Sequence, residues 1–103
     1  MVKQHSEHRV EKDLLGEKKI PAEAYWGVHT SRALDNYQIT GFPLYNAPEL
    51  INALAAVKWA ATKANADLDT IPLDLAKAIT QACKEIRTGK LHDQFVVDVI
   101  QGG

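Results

Sequence analysis

The sequence has one cysteine, no long apolar run and no excess of charge of either sign. A single cysteine among 103 residues excludes an internal disulfide and is typical of proteins from a reducing compartment. No apolar run approaches the roughly 20 residues that a membrane-spanning helix needs, and the N-terminus is too polar for a signal peptide. The 12 Lys and Arg residues nearly balance the 13 Asp and Glu residues, so charge favours neither nucleic acid nor an anionic membrane as a partner. We therefore expect a cytoplasmic protein.

The motifs of common enzyme classes are also missing from the sequence. It contains no phosphate-binding loop, dinucleotide fingerprint, nucleophile elbow or zinc-ligand spacing. His5 and His8 have a helical spacing compatible with a metal pair, but no cluster of Cys, His and carboxylates supports a site. Residues 1–10 are therefore predicted to be a flexible tail. The adjacent pair His92 and Asp93 is interpreted as structural or solvated, because neighbouring side chains diverge on extended backbone.

The longest regular pattern runs through residues 48–68 and predicts a helix. Apolar residues recur there at steps of four, three, four, three and four positions: Leu50, Leu54, Val57, Ala61, Ala64 and Leu68. These steps place the side chains on one helical face, which we expect to face the core. Asn46 is in position to cap the first turn, and Pro48 lies early, where a missing N–H costs least.

A second helix is predicted to begin near residues 70–72 and to end near Thr88. Its expected apolar face comprises Leu75, Ile79, Ala82, Cys83 and Ile86. Gly89 is well placed as the C-terminal cap, and the short link makes the two helices an antiparallel hairpin with facing stripes. Because Cys83 lies on the apolar face, it is interpreted as a small hydrophobic residue and not as a nucleophile.

Shorter elements are predicted ahead of the hairpin. Residues 11–21 read as a turn at Gly16 between two extended pieces, a short β-ribbon. Thr30 or Ser31 is expected to cap a short helix that ends near Asn36. The predicted fold class is therefore mainly α: an antiparallel helix hairpin, a short helix and a short β-ribbon.

The segment between the ribbon and the long helix allows two interpretations. In the favoured one, its larger apolar side chains pack in the core or cover the long helix: Tyr25, Trp26, Leu34 and Tyr37. In the alternative, three polar side chains form a binding cluster: His29, Thr30 and Arg32. Spacing alone favours packing, because aromatic residues in small domains are usually packing residues.

The last segment, residues 95–100, is a β-branched apolar run broken only by Asp98 and is predicted to be a strand. It leads into Gln101, Gly102 and Gly103, a glycine pair of the kind that feeds a tight loop. A strand with no partner in view and a loop with no second half suggest a truncated chain. Residues 11–103 are therefore predicted to form one truncated domain.

Several segments together resemble the aspartase/fumarase superfamily. They are Glu11-Lys12-Asp13-Leu14-Leu15-Gly16, Pro21-Ala22-Glu23-Ala24-Tyr25-Trp26-Gly27-Val28-His29-Thr30, Arg32-Ala33-Leu34-Asp35-Asn36-Tyr37, Asp93-Gln94-Phe95 and Asp98-Val99-Ile100-Gln101-Gly102-Gly103. The resemblance covers residues 9–103, and the combination is specific although no single piece is. Three places are similar to aspartases rather than to class II fumarases: Val28-His29-Thr30, Asp35-Asn36-Tyr37 and Gln101-Gly102-Gly103.

The resemblance implies a carbon–nitrogen lyase that converts L-aspartate reversibly to fumarate and ammonia. Such enzymes remove a proton from the carbon beside a carboxylate, with a serine on a mobile loop as the implied base. The resemblance also implies a homotetramer with active sites at subunit junctions and no organic cofactor. The family's catalytic residues lie beyond Gly103, so no catalytic, substrate-binding or metal residue is assigned within this chain. Gln101, Gly102 and Gly103 are only the approach to the site, and the chain alone is expected to be inactive.

Two alternatives remain open at this stage. The chain is similar enough to class II fumarases to be the N-terminal domain of one. It could also be a free-standing protein-interaction domain that binds a partner through the predicted strand 95–100 and the region of Tyr25 and Trp26. A continuation of the reading frame rich in Gly, Thr, Ser and Asn would favour the lyase, and a stop codon after Gly103 would favour the interaction domain.

Overall fold

The computed structural model describes residues 7–100, so the interpretations of His5 and of Gln101, Gly102 and Gly103 fall outside the described residues. Within these bounds the mainly α fold class is confirmed, with three α-helices and a two-stranded antiparallel sheet. The described chain divides into two compact units, residues 7–43 with 96–100 and residues 44–95. No helix among the described residues is long and apolar enough to cross a membrane.

The first unit begins with the predicted ribbon. Strand β1 (His8–Asp13) pairs with strand β2 (Gly16–Pro21), in a register that runs from His8 opposite Pro21 to Asp13 opposite Gly16. Gly16 has a φ of +119°, which is why a glycine closes this turn. Because β1 begins at His8, the prediction of a flexible tail over residues 1–10 is wrong for residues 8–10.

Helix α1 (Val28–Asn36) follows the ribbon and begins earlier than predicted. Gly27 is its N-cap residue, so that Thr30 and Ser31 lie within the helix and cap nothing. The first backbone N–H, that of Val28, donates instead to the carboxylate of Glu11 at 2.8 Å. The expected serine or threonine cap is therefore replaced by an acceptor from β1.

The second unit is built on the predicted hairpin, helix α2 (Pro48–Asp67) and helix α3 (Leu73–Arg87). Gly89 follows α3 with a φ of +101°, as expected of a C-terminal glycine. Asn46 does not cap α2: it ends a short 3₁₀ helix (Leu44–Asn46), and Ala47 is the N-cap residue without a side-chain hydrogen bond. A second 3₁₀ helix (His92–Gln94) follows α3.

The core face of α2 is not the stripe that the sequence pattern predicts. The buried residues are Ile51, Ala55 and Thr62, here called the inner stripe, and α2 packs against α3. The predicted stripe (Leu50, Leu54, Val57, Ala61, Ala64 and Leu68), here called the outer stripe, is exposed along its whole length. Both sides of α2 are apolar, so the sequence period alone selects the more regular side, which is the wrong one.

On α3, burial agrees with the sequence for part of the expected face. Cys83 is buried, which confirms its interpretation as a core residue, and Ile79 and Ile86 are half-buried. Leu75 and Ala82 are exposed, and Ala76 takes the buried position near the start of the helix. The face turned towards α2 is thus rotated slightly from the predicted one.

The predicted strand over residues 95–100 is absent from the structure. This segment is irregular and contributes one isolated bridge, between Pro43 and Asp98. Phe95, Val96, Val97 and Val99 are half-buried and Asp98 is buried, so the segment is not the exposed strand that the interaction-domain alternative needs. The physical reason is the side chain of Asp98, whose hydrogen bonds replace a regular ladder.

Candidate functional site

A row of three charged side chains on β1 organises the first unit. Arg9, Glu11 and Asp13 lie on the same face of the strand and are half-buried, whereas their neighbours point to solvent. This alternation follows from the two-residue period of a strand. The row faces the loop after β2 and the start of α1, which it holds by hydrogen bonds.

Arg9 binds the loop between β2 and α1. Its Nε donates to Glu11 Oε2 at 2.8 Å, and its Nη2 donates to the carbonyl of Trp26 at 2.6 Å. Its Nη1 lies within 3.2 Å of three further carbonyls, those of Pro21, Ala22 and Ala24. One guanidinium therefore satisfies the backbone of a loop that has no regular structure of its own.

Glu11 connects this loop to helix α1. One carboxylate oxygen accepts from Arg9 and the other accepts the N–H of Val28, the first residue of the helix. The hydrogen bond from Arg9, followed by that from Val28, holds the pKa of Glu11 below its usual value. The charged carboxylate lies at a helix N-terminus, where the helix dipole favours a negative charge.

Asp13 and Arg32 form a two-bond ion pair between β1 and α1. Arg32 Nε and Nη2 donate to the two carboxylate oxygens at 2.8 and 2.9 Å, and Nη2 also reaches the carbonyl of Gly16 at 3.2 Å. This pairing lowers the pKa of Asp13 to about 2 and raises that of Arg32. Both groups are thus fully charged at neutral pH, and neither can transfer a proton there.

An open groove of about 1100 Å³ lies between the ribbon turn and α1. It is lined by the Asp13–Arg32 pair and by the exposed apolar side chains of Leu14, Leu15 and Tyr37. His29 also lines it and is almost fully exposed, with Nδ1 3.9 Å from Asp13 Oδ2. The groove offers apolar surface beside a neutralised ion pair, which suits packing or binding more than acid–base chemistry.

The structure supports neither the packing interpretation nor the binding-cluster interpretation of the segment after the ribbon in full. Arg32 is engaged by Asp13, and His29 is almost fully exposed. These two residues line the same groove but Thr30 does not, so the alternative interpretation of His29, Thr30 and Arg32 as one binding cluster is correct only in part. The packing interpretation is wrong for Tyr25 and Tyr37, which are exposed. It is correct in part for Trp26 and Leu34, which are half-buried.

A second organised cluster surrounds the buried carboxylate of Asp98. It accepts from the backbone N–H of Thr40 at 2.8 Å, of Gly41 at 3.0 Å and of Ile100 at 2.8 Å. The hydroxyl of Thr40 donates to it at 2.7 Å. Burial alone would raise the pKa of Asp98, but these four hydrogen bonds together hold it below its usual value. The cluster fixes the chain just ahead of Gln101, the first residue of the expected approach to the active site.

The remaining candidates have structural roles. The Nε2–H of His92 donates to the carbonyl of Ile86 at 2.8 Å, in agreement with the structural interpretation of His92 and Asp93. Cys83 is buried and offers no accessible thiol. Within residues 7–100 no group of His, Cys, Asp and Glu is arranged to hold a metal ion.

Sequence reasoning missed the clusters of Arg9 and Asp98. The signal for the first was available, since charged residues at positions 9, 11 and 13 share one face of a strand once that strand is extended back to His8. Asp98 interrupts an apolar run, which indicates a buried polar partner. Its partners at Thr40 and Gly41 are far away in sequence and leave no local pattern.

Comparison with known proteins agrees with the sequence resemblance. A family model described as lyase matches residues 16–103, most of the chain. The chain belongs to this lyase family, in the aspartase/fumarase superfamily. It is 52% identical over 103 residues to the aspartate ammonia-lyase of Bacillus subtilis. This match covers all of this chain and 21% of that protein. The aspartate ammonia-lyase of Pseudomonas aeruginosa is 50% identical over 95 residues, which are 92% of this chain and 20% of that protein.

Solved structures of lyases have the same fold. The crystal structure of fumarate lyase:delta crystallin from Brucella melitensis bound to cobalt matches with a TM-score of 0.83 and 46% identity, over 94% of this chain and 21% of that one. The class II fumarase of Schistosoma mansoni matches with a TM-score of 0.75 and 31% identity, over 88% of this chain and 19% of that one. The chain thus spans about a fifth of the length of these lyases.

Proposed function

We propose that this chain is the N-terminal part of an aspartate ammonia-lyase, which converts L-aspartate reversibly to fumarate and ammonia. The observation that carries the proposal is the identity of 52% to the Bacillus subtilis aspartate ammonia-lyase along the entire chain. The identity to the class II fumarase structure is lower, at 31%. The segments that resemble aspartases rather than fumarases support the same assignment.

The chain alone is proposed to be inactive. Removal of a proton beside a carboxylate requires a positioned base and donors that stabilise the resulting negative charge. Among residues 7–100, the carboxylates of Glu11, Asp13 and Asp98 have pKa values displaced from the ordinary ones. All three pKa values are lowered, and all three carboxylates accept hydrogen bonds from nearby donors. Their arrangement is that of structural anchors, and the base would come from the part of the lyase that follows this chain.

The role of the described residues is to position the approach to the site. Asp98 holds Thr40, Gly41 and Ile100 around one carboxylate, three positions before Gln101, which is followed by Gly102 and Gly103. No catalytic step is assigned to those three residues. For the whole protein we propose a cytoplasmic homotetramer without an organic cofactor, as the resemblance implies.

A chimera tests the proposed function directly. Residues 1–103 would replace the matching segment of the Bacillus subtilis aspartate ammonia-lyase and, in a second chimera, that of the Schistosoma mansoni class II fumarase. Fumarate absorbance would be followed with L-aspartate for the first chimera and with L-malate for the second. We expect turnover by the first chimera, little or none by the second, and none by the isolated chain. Turnover by the second chimera without turnover by the first would favour the class II fumarase alternative, and aspartate turnover by the isolated chain would contradict its proposed inactivity.

A further inference from the structure

A groove between α2 and α3, here called the lysine groove, gathers positive charge. It has a volume of about 440 Å³, and three exposed lysines line it: Lys63 from α2, and Lys77 and Lys84 from α3. Among the described residues, Asp67 is the only carboxylate that lines it. The whole chain carries a net charge of −1, so this local excess of positive charge is a property of the fold and not of the composition.

The three lysines lack a carboxylate partner in the part of the chain that the structure describes. None of their ammonium groups lies within 4.0 Å of an Asp or Glu oxygen among residues 7–100, whereas Lys18 on the ribbon pairs with Asp35 at 3.0 Å. A cleft lined by charges of one sign raises the local concentration of ions of the opposite sign. The lysine groove is therefore expected to attract anions.

Trp59 keeps one of these cations beside the groove. Lys84 Nζ lies 5.4 Å from the centre of the Trp59 ring, and Arg87 Cζ lies 5.6 Å from it. The negative face of an indole attracts cations at such distances. Because Trp59 itself lines the groove, this contact restrains the Lys84 ammonium there and reduces the conformational entropy that the side chain loses when it binds a ligand.

The positions of the donors indicate an anion with several charged groups. Lys77 and Lys84 are seven residues apart on one face of α3, about 10 Å along its axis, so a single phosphate or carboxylate reaches one of them more easily than both. Thr80 lies between them, and its half-buried hydroxyl has no hydrogen-bond partner within residues 7–100. The groove has the volume of a small-ligand site, for which about 300–1,000 Å³ is usual.

We propose that the lysine groove binds a small polyanion, a molecule that carries several phosphate or carboxylate groups. Lys63, Lys77 and Lys84 supply the positive charge, and Thr80 donates a hydrogen bond from its hydroxyl. These residues all lie in the second unit of this chain, so the proposal does not depend on the proposed function.

Isothermal titration calorimetry at constant ionic strength tests the proposal with two probes. Inorganic tripolyphosphate and citrate distinguish a phosphate ligand from a carboxylate ligand. Lys77→Gln and Lys84→Gln each remove one positive charge from the groove, and Asp67→Asn removes the opposing carboxylate. Lys58→Gln is the matched control, because Lys58 is also an exposed lysine of the hairpin but does not line the groove.

We expect saturable binding of at least one probe. Lys77→Gln and Lys84→Gln should each weaken the affinity about three- to fivefold, the effect of one exposed ion pair, and Asp67→Asn should strengthen it to a similar extent. Lys58→Gln should leave the affinity nearly unchanged. All four side chains are exposed, so the variants should fold normally, which circular dichroism would check.

The two tryptophans give a second readout that needs no substitution. Trp59 lines the lysine groove, whereas Trp26 lies in the first unit. In NMR spectra the indole N–H signal of Trp59 should shift as the probe is added, and that of Trp26 should stay in place. Equal shifts of both signals would overturn the proposal. It would also be overturned if neither probe bound saturably, or if Lys58→Gln weakened binding as much as Lys77→Gln.

Discussion

Glu11, on the first strand, accepts the backbone N–H of Val28, the first residue of α1, at 2.8 Å. The start of the helix is therefore determined by a carboxylate 17 positions earlier in the chain, which is itself held by Arg9. Such a cap needs room between strand and helix. Gly27 provides it, because a Cβ at this position would lie 2.6 Å from Glu11 Oε1.

Gly27→Ala should destabilise the first unit by roughly 1–3 kcal/mol, the usual cost of forcing an extra methyl group into a filled space. The backbone at Gly27 is extended, with a φ of −123°, so the expected cost comes from the contact with Glu11 and not from backbone strain. Urea unfolding monitored by circular dichroism would measure the loss.

A double-variant cycle separates this steric origin from other causes. In the background of Glu11→Ala the blocking carboxylate is gone, so Gly27→Ala should cost much less there than in the unchanged protein. Equal costs in the two backgrounds would contradict the explanation.

The Asp13–Arg32 pair should make the first unit sensitive to acid. The pKa of Asp13 is lowered from 3.8 to about 2 in the folded chain, so between these values the unfolded chain binds more protons and stability increases with pH. The stability contributed by this pair is thus complete above about pH 4 and is lost as pH falls towards 2. Asp13→Asn should lower the free energy of unfolding at neutral pH. It should also reduce the further loss of stability between about pH 4 and pH 2.

Unfolding free energies at several pH values between 2 and 7 would check this prediction. Glu17→Gln is the matched control, because Glu17 is an exposed carboxylate on the same ribbon. If the free energy of unfolding of Asp13→Asn falls as steeply below about pH 4 as that of the unchanged chain, other carboxylates cause the acid sensitivity.

Asp98→Asn should loosen the loop around Thr40 although it preserves the size of the side chain. An amide has one oxygen, so its NH₂ group would face backbone N–H donors that both carboxylate oxygens accept at present. We expect the amide protons of Thr40, Gly41 and Ile100 to exchange about tenfold faster or more, since a lost charge-assisted hydrogen bond is worth this factor.

Hydrogen exchange by NMR measures these amides one at a time. The amide of Ala76, which donates to the carbonyl of Pro72 in α3, serves as an internal reference. Unchanged exchange at Thr40 and Gly41 would mean that Asp98 does not hold the loop.

Local signals account for the parts of the fold that the sequence predicts correctly. Gly16 and Gly89 mark a turn and a helix end because both adopt positive φ angles, and the short link between α2 and α3 leaves little choice other than a hairpin. Cys83 was placed correctly because α3 has one apolar side. These features depend on residues within a few positions of one another.

The errors arise where the deciding partner is distant in sequence. The cap of α1 is Glu11, which no search near Thr30 could find, and the expected strand near Asp98 is replaced by bonds to residues 58 and 57 positions away. The charged row on β1 could have been found from the alternation of positions 9, 11 and 13, but its partners in the loop after β2 and in α1 could not. On α2 the sequence offers two apolar stripes, and only the position of α3 selects between them.

Neighbouring positions on α2 can show which stripe forms the core of the isolated chain. Ile51 is 0% exposed, so Ile51→Ala should cost about 2–5 kcal/mol through lost contacts and a cavity. Leu54 belongs to the outer stripe, and Leu54→Ala should cost about 1 kcal/mol or less, as usual for a substitution outside the packed core. Urea unfolding of both variants at equal slope would give the difference directly. If Leu54→Ala cost more than Ile51→Ala, the regular three-and-four spacing would mark the core after all, and α3 would have to lie against the outer stripe.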